Sequence, residues 1–148
     1  MQKYLGVKLI EAEPKNKYEF YMNVKGVDCK EENEDGYLVK YEDNYISWSP
    51  KDVFEKAYYP IASNNNTISQ KDVDLFIKDV KSIKQGEKTT VTTVTLINGF
   101  EIIESSSCVD AKNFNMAIGE KICVERVKNL IWEMLGFVLC SGVHGLNQ

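Results

Sequence analysis

Apolar and polar residues alternate with a period near two over much of the first third of the chain, and settle into a helical period near its end. Tyr4, Val7 and Leu9-Ile10 predict an opening strand, and Lys15 to Met22 a short helix after Pro14, since proline is tolerated in a first turn. Gly36 to Tyr41 has strand composition, Asp43-Asn44 is a turn signal, and Tyr45 to Trp48 is a second strand; the three make a hairpin. Ser49-Pro50-Lys51-Asp52 then announces a helix over Pro50 to Tyr58, with Ser49 as N-cap and Val53, Phe54 and Ala57 on its packed side. Nine aromatic residues from Tyr4 to Phe54 fit a thin core in which large rings dominate. A stacking surface for bases is the alternative use of them.

The polar run Ser63-Asn64-Asn65-Asn66-Thr67 reads as a linker. It divides the chain into a β-rich module at 1–62, a linker at 63–68 and a second module at 69–148. Ser69 with Asp72 three residues on is a capping-box analogue, followed by Val73, Phe76, Ile77 and Val80 at helical spacing; Gln85-Gly86-Glu87 ends that unit. Thr89 to Ile97 and Phe100 to Ile103 flank Asn98-Gly99, which predicts a type I′ hairpin. That turn would set Ile97 opposite Phe100, Leu96 opposite Glu101 and Thr95 opposite Ile102. Both hairpin faces are then partly apolar, so one is covered and the other is joined to something. Ser105 to Asn115 is a polar connection, with Asp110 placed to cap a short turn.

The last element is a helix over Met116 to Phe137. Met116, Cys123, Val127, Leu130, Ile131, Met134 and Val138 form its apolar stripe, with Lys121, Glu125, Lys128 and Asn129 opposite. Gly119 interrupts it at a cost of about 1 kcal/mol relative to Ala, and most simply lets another backbone approach closely. The fold class is α+β: β-hairpins packed on a long C-terminal helix, with a small β-rich N-terminal module. A thin aromatic module and a two-sided hairpin call for more buried surface than a monomer arranges, which predicts a homo-oligomer built from dimers.

Composition narrows the chemistry. The 148 residues carry 18 basic and 22 acidic side chains, a net charge of −4, which disfavours duplex DNA as a partner. Seventeen of the cations are lysines and Arg126 is the single arginine, so bidentate recognition of phosphate is scarce. With one histidine, His144, a His-rich metal site is excluded. Cys29, Cys108, Cys123 and Cys140 contain no C-x-x-C spacing and read as free thiols. The alternating start is neither a signal peptide nor a membrane anchor, and the apolar-rich stretch Leu130 to Cys140 is too short to span a bilayer.

Catalysis is disfavoured. A nucleophile needs a base within reach, and pairing Cys140 or Cys108 with a histidine near the chain end is a weak arrangement. Glu101 and Glu104 fall on opposite strand faces, and Asp72, Asp74 and Asp79 on a helix face that reads as solvated. No cofactor motif is present. From Ala111 to Trp132 the local charge is +2, through Lys112, Lys121, Arg126 and Lys128 against Glu120 and Glu125. These cations beside the hairpin tip form either a solvated face or a seat for a phosphorylated small ligand.

Thr95-Leu96-Ile97-Asn98-Gly99-Phe100, Ser105 to Val109, Asn113-Phe114, Ile118-Gly119, Ile131-Trp132 and Gly136 to Leu139 together resemble the gene-49-like family of small phage proteins. Gly36 to Val39, Tyr45 to Lys51 and Val53-Phe54 are similar to an N-terminal segment found on such proteins. The resemblance implies a small α+β viral protein in the host cytoplasm. Some members act against bacterial immunity, among them anti-Thoeris sponges that sequester cyclic nucleotide signals as symmetric oligomers without cleaving them. It implies a ligand site at Asn98, Phe100, Lys121 and Arg126: Phe100 stacking a base, Asn98 orienting it, and the cations meeting phosphates. The family's arginines after the Ile-Gly pair are replaced here by Glu120 and Val124. The alternative is a protein-binding, anti-CRISPR-type inhibitor of a host defence nuclease, in which Glu31, Glu32, Glu34 and Asp35 mimic nucleic acid.

Overall fold

A computed structural model describes residues 1–28, 33–63 and 65–147; Cys29, Glu31 and Glu32 lie outside the described residues. The chain divides into two compact units. The first is Met1–Pro60 with the stretch from Ser141 onward, and the second is Ile61–Cys140. Each holds a three-stranded antiparallel sheet, and a long C-terminal helix completes an α+β protein.

In the first unit β1 (Glu11–Pro14), β2 (Gly36–Lys40) and β3 (Ile46–Pro50) pair in sequence order. The hairpin over Asp43-Asn44 forms as its residues predict. Asn44 adopts a left-handed φ of 63°, and the Asp43 carboxylate accepts the Tyr45 N–H at 3.0 Å. Leu38 pairs with Trp48, whose indole N–H donates to the Lys15 carbonyl at 2.8 Å. Gly36 is required beside that ring, because a Cβ would lie 2.5 Å from Trp48 Cζ2.

The opening strand lies later than its sequence suggests. Residues 1–10 form no strand, and β1 begins at Glu11, with all four of its residues exposed. The helix at Lys15 to Met22 is instead a short α1 (Lys17–Glu19) running into a π-helical stretch, Phe20–Lys25, closed by Gly26 at φ 66°. Helix α2 (Lys51–Ala57) has no side-chain cap: Pro50 occupies the N-cap position, and the Ser49 hydroxyl turns to the Pro50 carbonyl at 3.4 Å. Packing of the aromatics is local. Tyr37, Phe54 and Tyr58 stack in series at 4.1 and 4.9 Å and Phe20 is buried, while Tyr4 and Tyr45 are exposed.

The second unit opens with the capping box. Ser69 accepts from the Asp72 N–H, and the Asp72 carboxylate accepts from the Ser69 N–H at 2.7 Å, starting α3 (Gln70–Leu75). The helical spacing of Ile77 and Val80 is misleading, because Ile77–Gln85 is strand β4. A register irregularity between Ile77 and Asp79 leaves one extra residue, Lys78. That bulge carries Ile77 and Val80 to one face at a spacing of three, as a helix would.

Strands β5 (Thr89–Leu96) and β6 (Glu101–Ser107) follow, in sheet order β4-β5-β6. Asn98-Gly99 does form a hairpin, although not a type I′ turn. Only Gly99 has a positive φ, at 85°, and Leu96 and Phe100 close a three-residue loop. The register therefore shifts by one: Thr95 faces Glu101 and Val94 faces Ile102. Asn98 acts through its side chain, whose Oδ1 accepts the Phe100 N–H at 3.0 Å. Gly99→Ala is accordingly expected to cost about 1–2 kcal/mol through the left-handed backbone, and Asn98→Ala less; urea melts of the two variants check the order.

Helix α4 (Met116–His144) outruns its predicted end at Phe137. Gly136 stays helical, and the stop is Gly145, at φ 81°, whose N–H reaches the Ser141 carbonyl. Val127, Ile131 and Leu135 pack on Val94 and Leu96 of β5 and Val73 of α3, which forms the core. Gly119 sits where a Cβ would collide with the Thr90 side chain, so the glycine makes room for a side chain of β5 and not for another backbone. Among the described residues no helix is long and apolar enough to cross a membrane.

Candidate functional site

At the tip of the β5–β6 hairpin, the turn holds Asn98 and Phe100 over the last turns of α4 within this unit. An open pocket of about 440 Å³ lies between them, lined chiefly by Phe76, Phe100, Met134, Phe137 and Val138. That volume is within the range of small-molecule sites. Its polar groups are few: Asn98, whose Oδ1 is committed to the Phe100 N–H and leaves the amide nitrogen as donor, and the Glu133 carboxylate. Phe100 is 57% exposed at the rim of this pocket.

The two cations lie elsewhere. Lys121 and Arg126 do not line this pocket. Five residues apart on a helix, they project about 140° apart, so they cannot converge on one phosphate within a protomer. Lys121 also stands about 18 Å along the axis from Glu133. Arg126 is engaged by its own chain: Nη1 donates to the Ser105 carbonyl at 2.8 Å, with Glu104 at 3.9 Å. Val124 packs against the apolar core and Glu120 is half-buried, so these two positions offer no open cationic surface. The structure thus brings Asn98 and Phe100 together and leaves Lys121 and Arg126 apart from them.

Two of the gene-49-like pieces, Thr95 to Phe100 and Gly136 to Leu139, contribute to the walls of this pocket, and a match to a family model covers residues 53–143, from within α2 almost to the end of α4. That model describes the phage protein (N4 Gp49/phage Sf6 gene 66) family. The chain belongs to this family. As a member of it the chain is a phage protein, and both the pocket and the hairpin tip fall inside the family-defining stretch. No curated protein and no solved structure matches the chain.

The remaining chemistry serves the fold. Asp72 is buried rather than solvated, with 1% exposure. Burial alone would raise its pKa, but the hydrogen bonds from Ser69 and the Ala62 N–H, helped by Lys71, outweigh it and hold the carboxyl below the usual range. Asp74 is lowered by its bonds to Lys128, at 2.9 Å, and to Gln70, and Asp79 lies on strand β4. Glu125 approaches Lys128 at 4.0 Å. Cys108, Cys123 and Cys140 are free thiols. No group of three or more metal-ligating side chains occurs among the described residues.

Glu133, Phe137 and Phe76 are among the pocket residues that sequence reasoning did not assign to a site. A signal was present in Phe137, a large apolar residue off the core stripe of α4, where burial in the unit's own core does not account for it.

Proposed function

We propose that this family member is a phage anti-defence protein that sequesters a cyclic nucleotide immune signal, a cyclic ADP-ribose isomer or a cyclic oligonucleotide, without converting it. The supporting observation is the open apolar pocket inside the family stretch, with exposed Phe100 beside Asn98 and Glu133. An aromatic face accepts any base by stacking. The Asn98 amide suits a base edge, and the Glu133 carboxylate suits ribose hydroxyls or an exocyclic amine. The protein would act in the host cytoplasm, where such a signal circulates, as a symmetric homo-oligomer presenting equal sites.

The placement of Lys121 and Arg126 changes how the affinity should behave. With no cation in the pocket lining, stacking and base hydrogen bonds carry the binding, and the phosphates stay toward solvent. Phe100→Ala is expected to weaken binding about tenfold or more, since one base–aromatic stack is worth ~1–3 kcal/mol. Lys121→Ala with Arg126→Ala should leave affinity within about fivefold, since neither cation lines the pocket and the loss of exposed charge is worth at most ~1 kcal/mol. Calorimetry against a panel of cyclic di- and trinucleotides and cyclic ADP-ribose isomers reads both. Silence across the panel rejects the proposal and turns attention to the nuclease-inhibitor alternative, whose signature is loss of inhibition when Glu34 and Asp35 are neutralised.

A further inference from the structure

The polar groups of the hairpin-tip pocket are few enough to be read as a hydrogen-bond code. Asn98 sits in a turn that uses its side-chain oxygen: Oδ1 accepts the Phe100 N–H at 3.0 Å. That bond fixes which way round the amide lies, so Asn98 offers a ligand its nitrogen, a donor, and not an acceptor. Glu133 offers the opposite. An ionised carboxylate accepts only, and its two oxygens can take a pair of parallel donors. The two cations nearest to it along α4 are engaged elsewhere, Lys128 with Asp74 at 2.9 Å and Arg126 with the Ser105 carbonyl at 2.8 Å. Glu133 precedes Phe137 by four residues, which places carboxylate and ring one turn apart on the same face of the helix. Phe100, exposed at the rim, supplies a stacking surface. The pocket thus presents one donor and a two-pronged acceptor beside aromatic rings.

Of the common bases, only guanine complements that whole set. Its Watson–Crick edge runs acceptor, donor, donor: O6, N1–H and the N2 amine. We propose, resting on the reading of this pocket as a nucleotide site, that it selects guanine. N1–H and the N2 amine donate to the two oxygens of Glu133, and O6 accepts from the Asn98 amide. Adenine meets the same groups with one donor, the N6 amine, and one acceptor, N1, so one carboxylate oxygen gains no partner. Cytosine has the same shortfall. Uracil has a single donor, N3–H, between two carbonyl oxygens, one of which would face the second carboxylate oxygen in repulsion. Because Glu133 is exposed, water can serve an idle oxygen, and the selection is worth about tenfold, the value of one hydrogen bond to a charged group. A sealed site built around such bonds would reach about 10⁴-fold. The sequestered signal narrows to a guanine-containing cyclic oligonucleotide, and the cyclic ADP-ribose isomers, whose only base is adenine, become the poorer ligands.

Calorimetry on the full chain tests this with cyclic di-GMP, cyclic di-IMP, cyclic di-AMP and cyclic di-UMP as probes, beside the cyclic ADP-ribose isomers. Cyclic di-GMP is expected to bind about tenfold tighter than cyclic di-AMP. Hypoxanthine differs from guanine only in lacking the N2 amine, so cyclic di-IMP should also bind about tenfold more weakly than cyclic di-GMP. Glu133→Gln keeps the shape of the side chain but turns one prong of the acceptor into a donor. It should weaken cyclic di-GMP at least about tenfold and cyclic di-AMP about threefold or less, with an unchanged circular dichroism spectrum because the side chain is exposed. Cyclic di-AMP, cyclic di-IMP or a cyclic ADP-ribose isomer bound as tightly as cyclic di-GMP overturns guanine selection and leaves nucleotide sequestration standing. A Glu133→Gln chain that loses cyclic di-GMP and cyclic di-AMP alike does the same. Silence from every probe overturns nucleotide sequestration itself, and guanine selection with it.

Discussion

Asp72→Ala is expected to remove about 3 kcal/mol of stability, which for a chain of this size lowers the melting temperature by roughly 6–12 °C. The carboxylate is buried at 1% exposure and accepts from the Ser69 N–H at 2.7 Å, the Ser69 hydroxyl at 2.6 Å and the Ala62 N–H at 2.9 Å. Alanine would strip two backbone donors of their partner, the N–H of half-buried Ser69 and that of Ala62. Each such orphan costs ~1–3 kcal/mol, well beyond the ordinary loss of an N-cap. The same bonds set a pH dependence. Because the folded pKa of Asp72 is depressed, its contribution is complete above the unfolded carboxylate value of about 4 and is lost as pH falls through the lower folded value. Asp72→Asn, which keeps an acceptor of similar shape, should therefore melt with a shallower acid slope than wild type below about pH 4. Parallel thermal melts of the two from pH 6 to pH 2 read that difference, and identical slopes would mean that another carboxylate governs the acid limb.

Asp72 also shows which parts of this fold were legible beforehand. Its spacing from Ser69 is a local signal, satisfied by residues three apart, and it formed as written. The Asp110 cap and the Asp43-Asn44 turn formed for the same reason. Strand β4 was illegible because the extra residue at Lys78 makes a strand copy helical spacing, and only pairing with β5 removes the ambiguity. The β5–β6 register was illegible because Asn-Gly suits both a two-residue and a three-residue loop; they differ in the φ of Asn98, which composition does not encode. The pocket was half legible. Asn98 and Phe100 are adjacent to the turn that places them, whereas Phe76 and Phe137 meet them only through the packing of α3 and α4 on the sheet. Lys121 and Arg126 share a helix and a charge, but a separation of five residues sends them to different sides.

The other large effect is at Gly119, where two physical terms of opposite sign compete. Replacing a helix-interior glycine with alanine ordinarily gains up to about 1 kcal/mol from backbone entropy. At Gly119 the new methyl would lie 2.6 Å from Thr90 Cβ and closer still to its hydroxyl, and Thr90 is buried in the central strand β5. Such a collision forces α4 away from the sheet, and overpacking of this kind costs ~1–3 kcal/mol. Gly119→Ala is therefore expected to destabilise, by about 1–2 kcal/mol net. Gly136, in the same helix, is the internal control: a Cβ there meets nothing within 4 Å, so Gly136→Ala should stabilise by about 0.5–1 kcal/mol. Opposite signs for one substitution at two positions of one helix cannot come from propensity, which is the same at both. Thr90→Ala supplies the remaining link. Alone it should destabilise, through lost packing, and in the Gly119→Ala background it should cost less or recover stability, because it removes the atoms that the new methyl strikes. Denaturant unfolding of the four chains measures the coupling. A coupling energy near zero, or a Gly119→Ala chain as stable as Gly136→Ala, would show that α4 does not approach β5 as closely as Thr90 and Gly119 require.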